Sequence, residues 1–139
     1  MNYRKEIIIN KDIATVFEKL TNPDFMVEWQ ESLDSYKKNE EGNWVYSDSH
    51  SGRVMDITEK ILEKSAPDKF KVEYTTKGIF NIMDNKLEAI DENTTKWISD
   101  SEFQFTTLMM KVVGFFFGKS FQKQTEKDMK AFKKAVESL

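Results

Sequence analysis

Cysteine is absent from this 139-residue chain, and histidine occurs once, at His50. The first absence excludes disulfide scaffolds, Cys zinc sites, iron–sulfur clusters and Cys nucleophiles. The second excludes any site built on two His ligands. A chain without cysteine also suits a reducing cytoplasm, which is the expected location. Breakers are scarce: five glycines and two prolines make up about 5% of the chain against an average near 12%. Long regular elements and short turns follow. Long apolar runs are missing too. The most apolar stretch, Leu108 to Phe117, is interrupted by Lys111 and is about half the ~20 residues needed to span a bilayer. Near the N-terminus only Ile7, Ile8 and Ile9 run together, too few for a signal-peptide core. Neither secretion nor a transmembrane role is expected. A strong charge bias is absent as well. The net charge is −3, spread along the chain, which argues against binding nucleic acid through phosphate attraction. No Walker A sequence, GxGxxG or calcium-loop pattern occurs, and no cofactor or metal is expected.

What is present is enough for a core. Leu, Ile, Val and Phe make up about a quarter of the chain, above the ~20% associated with disorder. No linker, repeat or low-complexity run divides it, so residues 1–139 read as one domain. Residues 2–9 alternate as a strand, with Tyr3, Ile7 and Ile9 on one parity. Asn10 or Asp12 can cap a short helix to about Leu20, whose Ile13, Val16, Phe17 and Leu20 share one face. Thr21-Asn22-Pro23 ends it, and Pro23 suits the first position of a second short helix through Phe25, Met26 and Trp29. Six strands follow. They lie around Tyr36, from Trp44 to Asp48, from Arg53 to Leu62, around Phe70–Tyr74, from about Phe80 to Ile90, and from Thr94 to Phe105. The last third is helical, with Phe117, Phe121, Thr125, Met129, Phe132 and Val136 as one inward stripe. Lysines lie off that stripe as a solvated face, and Gly114 and Gly118 are placed to bend the front of the helix. Strands in a run with helices segregated at the ends indicate an α+β fold: a curved antiparallel sheet wrapped around a long C-terminal helix.

This order resembles the START-like, or SRPBCC, superfamily with its helix-grip fold, which includes bacterial polyketide cyclase/dehydrase-like proteins and Hsp90-ATPase-activator homologues. Four pieces carry the resemblance: EIIINKDIATVFEKLTNPDFMVEW, ITEKILEKSAPDKFKVEYTT, LEAIDENTTKW and the terminal MKAFKKAVESL. Together they cover essentially the whole chain. The superfamily has no universal catalytic signature, so the resemblance speaks to fold more than to activity. It implies a bacterial protein with a hydrophobic cavity between sheet and helix, of the kind used by many members to hold lipids, sterols, polyketides or hormones.

The residues point to such a cavity independently. On the last strand Thr95, Trp97, Ser99, Ser101, Phe103 and Phe105 share one parity, and the aromatics mark it as inward. Ser99 and Ser101 then face a core that would otherwise call for Val or Leu. On the preceding strand Asn81, Met83, Asn85, Leu87 and Ala89 mix apolar and amide groups in the same way. Small and amide side chains under a long helix leave space, and buried amides need a ligand or water to meet them. Phe25 and Trp29 from the second short helix, Tyr74 and Met83 from the sheet, and Met109, Met110, Val113, Phe117 and Phe121 from the long helix are the expected apolar lining. Phe115-Phe116-Phe117 is bulky on every side; burial of at least two of the three is expected, with the third as a lid, a dimer contact or a membrane-touching edge.

Catalytic constellations are weak. His50 stands between Ser49 and Ser51 and near Asp48, but neighbours on a strand point to opposite faces, so a turn residue is expected. The pairs Glu59 and Glu63, and Asp84 and Glu88, fit solvated strand faces. Arg53 and Glu102 are expected at the surface. The reading is therefore a binding or transport protein for a hydrophobic or amphipathic small molecule, with no catalytic residue assigned. Two alternatives stay open. One is a cyclase, aromatase or dehydratase using Tyr74, Glu59 or Glu102 as acid or base. The other is an interaction module, a weak homodimer or a chaperone-associated partner, using a strand edge or the Phe-rich segment.

Overall fold

The computed structural model describes residues 1–49 and 54–139. His50, Ser51, Gly52 and Arg53 lie outside the described residues, so the expectations placed on His50 and Arg53 are not addressed by it. The chain runs β1 (Asn2–Ile9), α1 (Ile13–Leu20), α2 (Pro23–Trp29), β2 (Leu33–Lys38), β3 (Trp44–Asp48), β4 (Met55–Ser65), β5 (Lys69–Thr76), β6 (Ile79–Asp91), β7 (Thr94–Phe105) and α3 (Leu108–Glu137).

Local chemistry sets the helix starts. Asp12 rather than Asn10 caps α1, its carboxylate accepting from the Thr15 amide at 3.0 Å and the Thr15 hydroxyl at 2.9 Å. Asn22 caps α2 by accepting from the Asp24 amide at 2.9 Å, with Pro23 in the first helical position. Thr107 caps α3. The strands form one antiparallel seven-stranded sheet in the order β1-β7-β6-β5-β4-β3-β2. Each strand from β2 to β7 pairs with its sequence neighbour, and β1 returns to pair with β7, Tyr3 facing Ser101 and Ile9 facing Thr95. β4 runs three residues beyond the expected Leu62, because a bulge between Ile61 and Glu63 lets it keep pairing with the start of β5.

The sheet grips α3 along the rear half of the helix. Tyr3 Oη and Thr125 Oγ1 share a hydrogen bond of 2.6 Å, Lys5 pairs with Glu126 at 2.7 Å, and Lys133 Nζ donates to the Ile8 carbonyl at 2.6 Å. The core centres on Phe132, which is fully buried. Its ring meets Phe25 and Trp29 of α2 and Trp97 of β7 edge-on, at centroid distances of 6.1, 5.7 and 5.3 Å. Met129 and Val136 complete the inward stripe.

The front of α3 departs from the expected stripe. Helical geometry breaks at Phe117 (φ −118°, ψ 19°), between Gly114 and Gly118. Ahead of that kink only one side of the helix touches the protein. Gly114 sits so close to the Phe105 ring that a Cβ would come within 2.4 Å of it, and Met110 packs over Gly78 in the β5–β6 turn. The expectation that two of Phe115, Phe116 and Phe117 are buried is therefore corrected: all three are exposed, at 83, 71 and 58%. The physical reason is that the kink rotates Phe117 off the inward stripe, and no element of the described residues covers the outer side of this segment.

Candidate ligand-binding site

The alternating pattern of β6 places its amide residues, Asn81 and Asn85, where the sheet faces the middle of α3. There the two layers stand apart and leave a cavity of about 300 Å³. At roughly 30 Å³ per water it is room for about ten waters, the lower end of the size of small-molecule pockets. Met26, Trp29 and Leu33 form one wall, Tyr46, Ile57, Tyr74 and Met83 the floor on the sheet, and Phe121, Thr125 and Met129 the helix side. Phe103 and Trp97 close it along β7. The wall is mainly apolar, with a few polar side chains: Gln30, Thr76, Asn81, Asn85, Gln124, Thr125 and Asp128.

Strand register explains how the polar groups converge. Glu59 faces Tyr74, Tyr74 faces Asn81, and Asn81 faces Phe103, so one ladder crosses β4 to β7 on the concave face. Along it, the Tyr74 hydroxyl donates to Glu59 Oε2 at 2.8 Å. Glu59 is only 3% exposed. Burial raises its carboxyl above the usual glutamate value, partly offset by the Tyr74 hydrogen bond and the Lys64 charge. Tyr74 is pushed well up by burial and by the adjacent Glu59 carboxylate, and Tyr46 is raised by burial and then by Glu59. Tyr46 and Tyr74 stand on the cavity wall with Glu59 behind them, and burial disfavours the ionised form of all three. Asn81 Nδ2 donates to the Glu102 carbonyl at 3.0 Å, and Asn85 Oδ1 accepts from Trp97 Nε1 at 2.9 Å. Each amide is thereby fixed by one end. The other ends, Asn81 Oδ1 and Asn85 Nδ2, make no hydrogen bond among the described residues.

The structure sorts the expected lining residues. Trp29, Tyr74, Asn81, Met83, Asn85 and Phe121 are on the cavity wall. Phe25 is buried behind it, under Phe132. Ser99 and Ser101 point inward as expected but do not reach the cavity. Ser99 is fully buried with no hydrogen-bond partner for its hydroxyl among the described residues, and Ser101 lies beside the Tyr3 hydroxyl without a well-formed bond. Met110 and Val113 are half-buried ahead of the cavity, against the side of the helix that leans on the sheet. Met109 and Phe117 are placed outside it, in solvent, because the front of α3 runs past the sheet. Glu102 is exposed, and of the carboxylate pairs only Glu59 turns inward, since the bulge after Ile61 takes Glu63 to solvent. The reading missed Tyr46, Leu33, Thr125 and Met129 as lining. The last two were signalled by their position one and two turns beyond Phe121; Tyr46 was signalled by its alternation with Trp44. Among the described residues no group of three or more His, Asp or Glu side chains is placed to hold a metal ion.

No family model matches the chain, and no curated protein matches it by sequence. Solved structures match it closely in shape. A conserved protein from Geobacillus kaustophilus superposes with a TM-score of 0.81 at 14% identity, covering 98% of this chain and 95% of the other. The ZhuI aromatase/cyclase from Streptomyces sp. R1128 gives a TM-score of 0.81 at 11% identity, covering 99% and 93%. A START superfamily protein from Mycobacterium smegmatis gives 0.73 at 8% identity, covering 99% and 94%. The fold is START-like. At these identities the likeness concerns the START-like fold alone, and it is the helix-grip α+β architecture expected from the element order. In this chain that fold carries the cavity where sheet and helix part.

Proposed function

We propose that this protein binds a neutral hydrophobic or amphipathic small molecule in the cavity between sheet and α3, as a carrier or storage protein. The observation that carries the reading is the cavity itself: a largely apolar space of about 300 Å³ with polar groups converging at one wall. Apolar ligand surface leaving water supplies roughly 25 cal/mol per Å² before association costs. Polar contacts set orientation. Tyr74 spends its proton on Glu59, so its oxygen is left as an acceptor; Asn81 offers a second acceptor and Asn85 a donor. A hydroxyl-bearing end fits this set. Charge narrows it further, because Asp128 is on the wall and no Lys, Arg or His is among the described lining residues. Among those residues a carboxylate or phosphate end finds no cation to offset its desolvation, which is costly.

A second reading, cyclase- or aromatase-type chemistry, is supported by the Glu59–Tyr74 pair. A buried carboxyl whose pKa is raised by burial, linked to the cavity through a tyrosine hydroxyl, is the arrangement a general acid needs. It ranks second because Glu59 itself is behind the wall.

The test is native mass spectrometry and solvent extraction of the purified protein, followed by titration with the neutral fluorescent probe N-phenyl-1-naphthylamine. One probe per chain is expected. Ile57→Trp, which fills the floor, should abolish binding. Tyr74→Phe should reduce the affinity for a hydroxyl-bearing ligand about fivefold, equivalent to one hydrogen bond of ~1 kcal/mol. Absence of any bound amphiphile, together with probe binding that Ile57→Trp leaves unchanged, would refute the proposal.

A further inference from the structure

The front half of α3 has an outer face that the ligand-binding reading does not use. Leu108, Met109, Val112, Phe115, Phe116 and Phe117 are 51 to 83% exposed. Scattered exposed apolar residues need no explanation, but six large ones in ten residues form a contiguous patch. Helical spacing of 100° per residue puts Leu108, Val112, Phe115 and Phe116 on one outward ridge. The opposite side of the segment is the one occupied, by Met110 against Gly78 and Gly114 against Phe105. The ridge continues past the kink, but its chemistry changes. Lys119, Lys123, Lys127, Lys130 and Lys134 occupy the outward positions of successive turns, and all five are exposed. Between Glu102 and Glu126 the chain has three lysines, at 111, 119 and 123, and no acid. In a protein of net charge −3, that is a local reversal of sign.

We propose that this face docks the protein onto an anionic lipid bilayer, with Phe115 and Phe116 entering the headgroup boundary and the lysines of the same ridge against lipid phosphates. Exposed aromatic side chains insert at the headgroup boundary, and clustered lysines beside them are attracted to anionic lipid. No helix of the described residues is long and apolar enough to cross a membrane, so the contact is peripheral. Charge favours the lipid surface over a second copy of this chain: an anionic bilayer neutralises the lysines, whereas the same segment of a second copy has no acid between Glu102 and Glu126 to meet them. The patch also adjoins the cavity. Met110 leans on Gly78, whose neighbour Ile79 is on the cavity wall, and the wall residue Phe121 is one turn beyond the kink. Docking would bring that end of the cavity toward the bilayer, where a neutral amphiphile resides.

Co-sedimentation with vesicles tests the proposal: 3:1 phosphatidylcholine:phosphatidylglycerol against phosphatidylcholine alone, at low and high salt. Binding is expected to the anionic vesicles only, weakening as salt rises. Phe115→Ser/Phe116→Ser should weaken it at least tenfold, and so should Lys111→Gln/Lys119→Gln/Lys123→Gln. A Phe116→Trp variant should shift its emission to the blue on anionic vesicles. All these side chains are exposed, so circular dichroism should be unchanged. N-phenyl-1-naphthylamine binding by the serine variant should also be unchanged, which separates failure at this face from failure of the cavity reading. The proposal is overturned if the protein does not sediment with anionic vesicles, or if both vesicle types bind equally. It is also overturned if sedimentation velocity finds a micromolar dimer that the serine variant abolishes, which would assign the face to a second copy.

Discussion

Removing the Phe132 ring should cost more than an average core truncation. The side chain is fully buried, and three aromatic rings from two elements rest on it at 5.3 to 6.1 Å. Phe→Ala in a core costs about 3–5 kcal/mol, and each aromatic pair is worth about 0.5–1.5 kcal/mol beyond area. Because these contributions overlap, we expect Phe132→Ala to lose about 4–5 kcal/mol, out of roughly 5–15 kcal/mol for a domain of this kind. Urea unfolding measures this directly, with an unchanged slope showing that the midpoint shift is a stability change. Trp29 and Trp97 lie between Phe132 and the cavity. Their emission should move to the red in the variant, and probe affinity should fall, because two cavity walls lose their support. A loss below about 2 kcal/mol at constant slope would refute the reasoning. It would mean that α2 and β7 collapse onto α3 without the ring, and that Phe132 does not hold the layers in place.

Two further predictions concern charge and backbone. Glu59 has a raised pKa in the folded state, so the folded protein holds this proton to higher pH than the unfolded chain does. Stability from this group is therefore full below the ordinary glutamate value and is lost as pH rises through the folded value. Glu59→Gln keeps an acceptor for Tyr74 and should stabilise the protein at pH 8 but not at pH 4; thermal melts at both pH values would show it, and an equal effect at both would count against the assignment. Gly42 and Gly78 both have positive φ, at 84° and 80°, but differ in surroundings. Gly42→Ala meets open space and should cost only the ~1–2 kcal/mol of a left-handed residue. Gly78→Ala should cost more, since its Cβ would sit 2.5 Å from Met110 Cγ and push the front of α3 away. Equal costs in urea would show that Met110 does not hold that segment down.

Much of the scaffold was legible from local pattern. Alternation in Thr95, Trp97, Ser99 and Ser101 identified the inward face of β7, because a strand turns its side chains with a period of two whatever it pairs with. Asn22-Pro23 marked a helix boundary through groups only one or two residues away. The polar residues Asn81 and Asn85 on an inward face announced a cavity, since a dry packed core has no use for them. The family resemblance rested on this same order of elements.

What the chain by itself determined, then, is where periodicity and capping speak: the succession of strands and helices, the inward parity of β6 and β7, and the rear stripe of α3. Tertiary structure decided the rest. Glu59 became a buried partner of Tyr74 because register set one opposite the other and a bulge turned Glu63 away. Met109 and Phe117 ended in solvent, although their apolar character argues for burial, because α3 kinks at Phe117 and its front reaches beyond what the sheet covers. Hydrophobicity says which side chains gain from burial; only the placement of a second surface settles which of them obtain it.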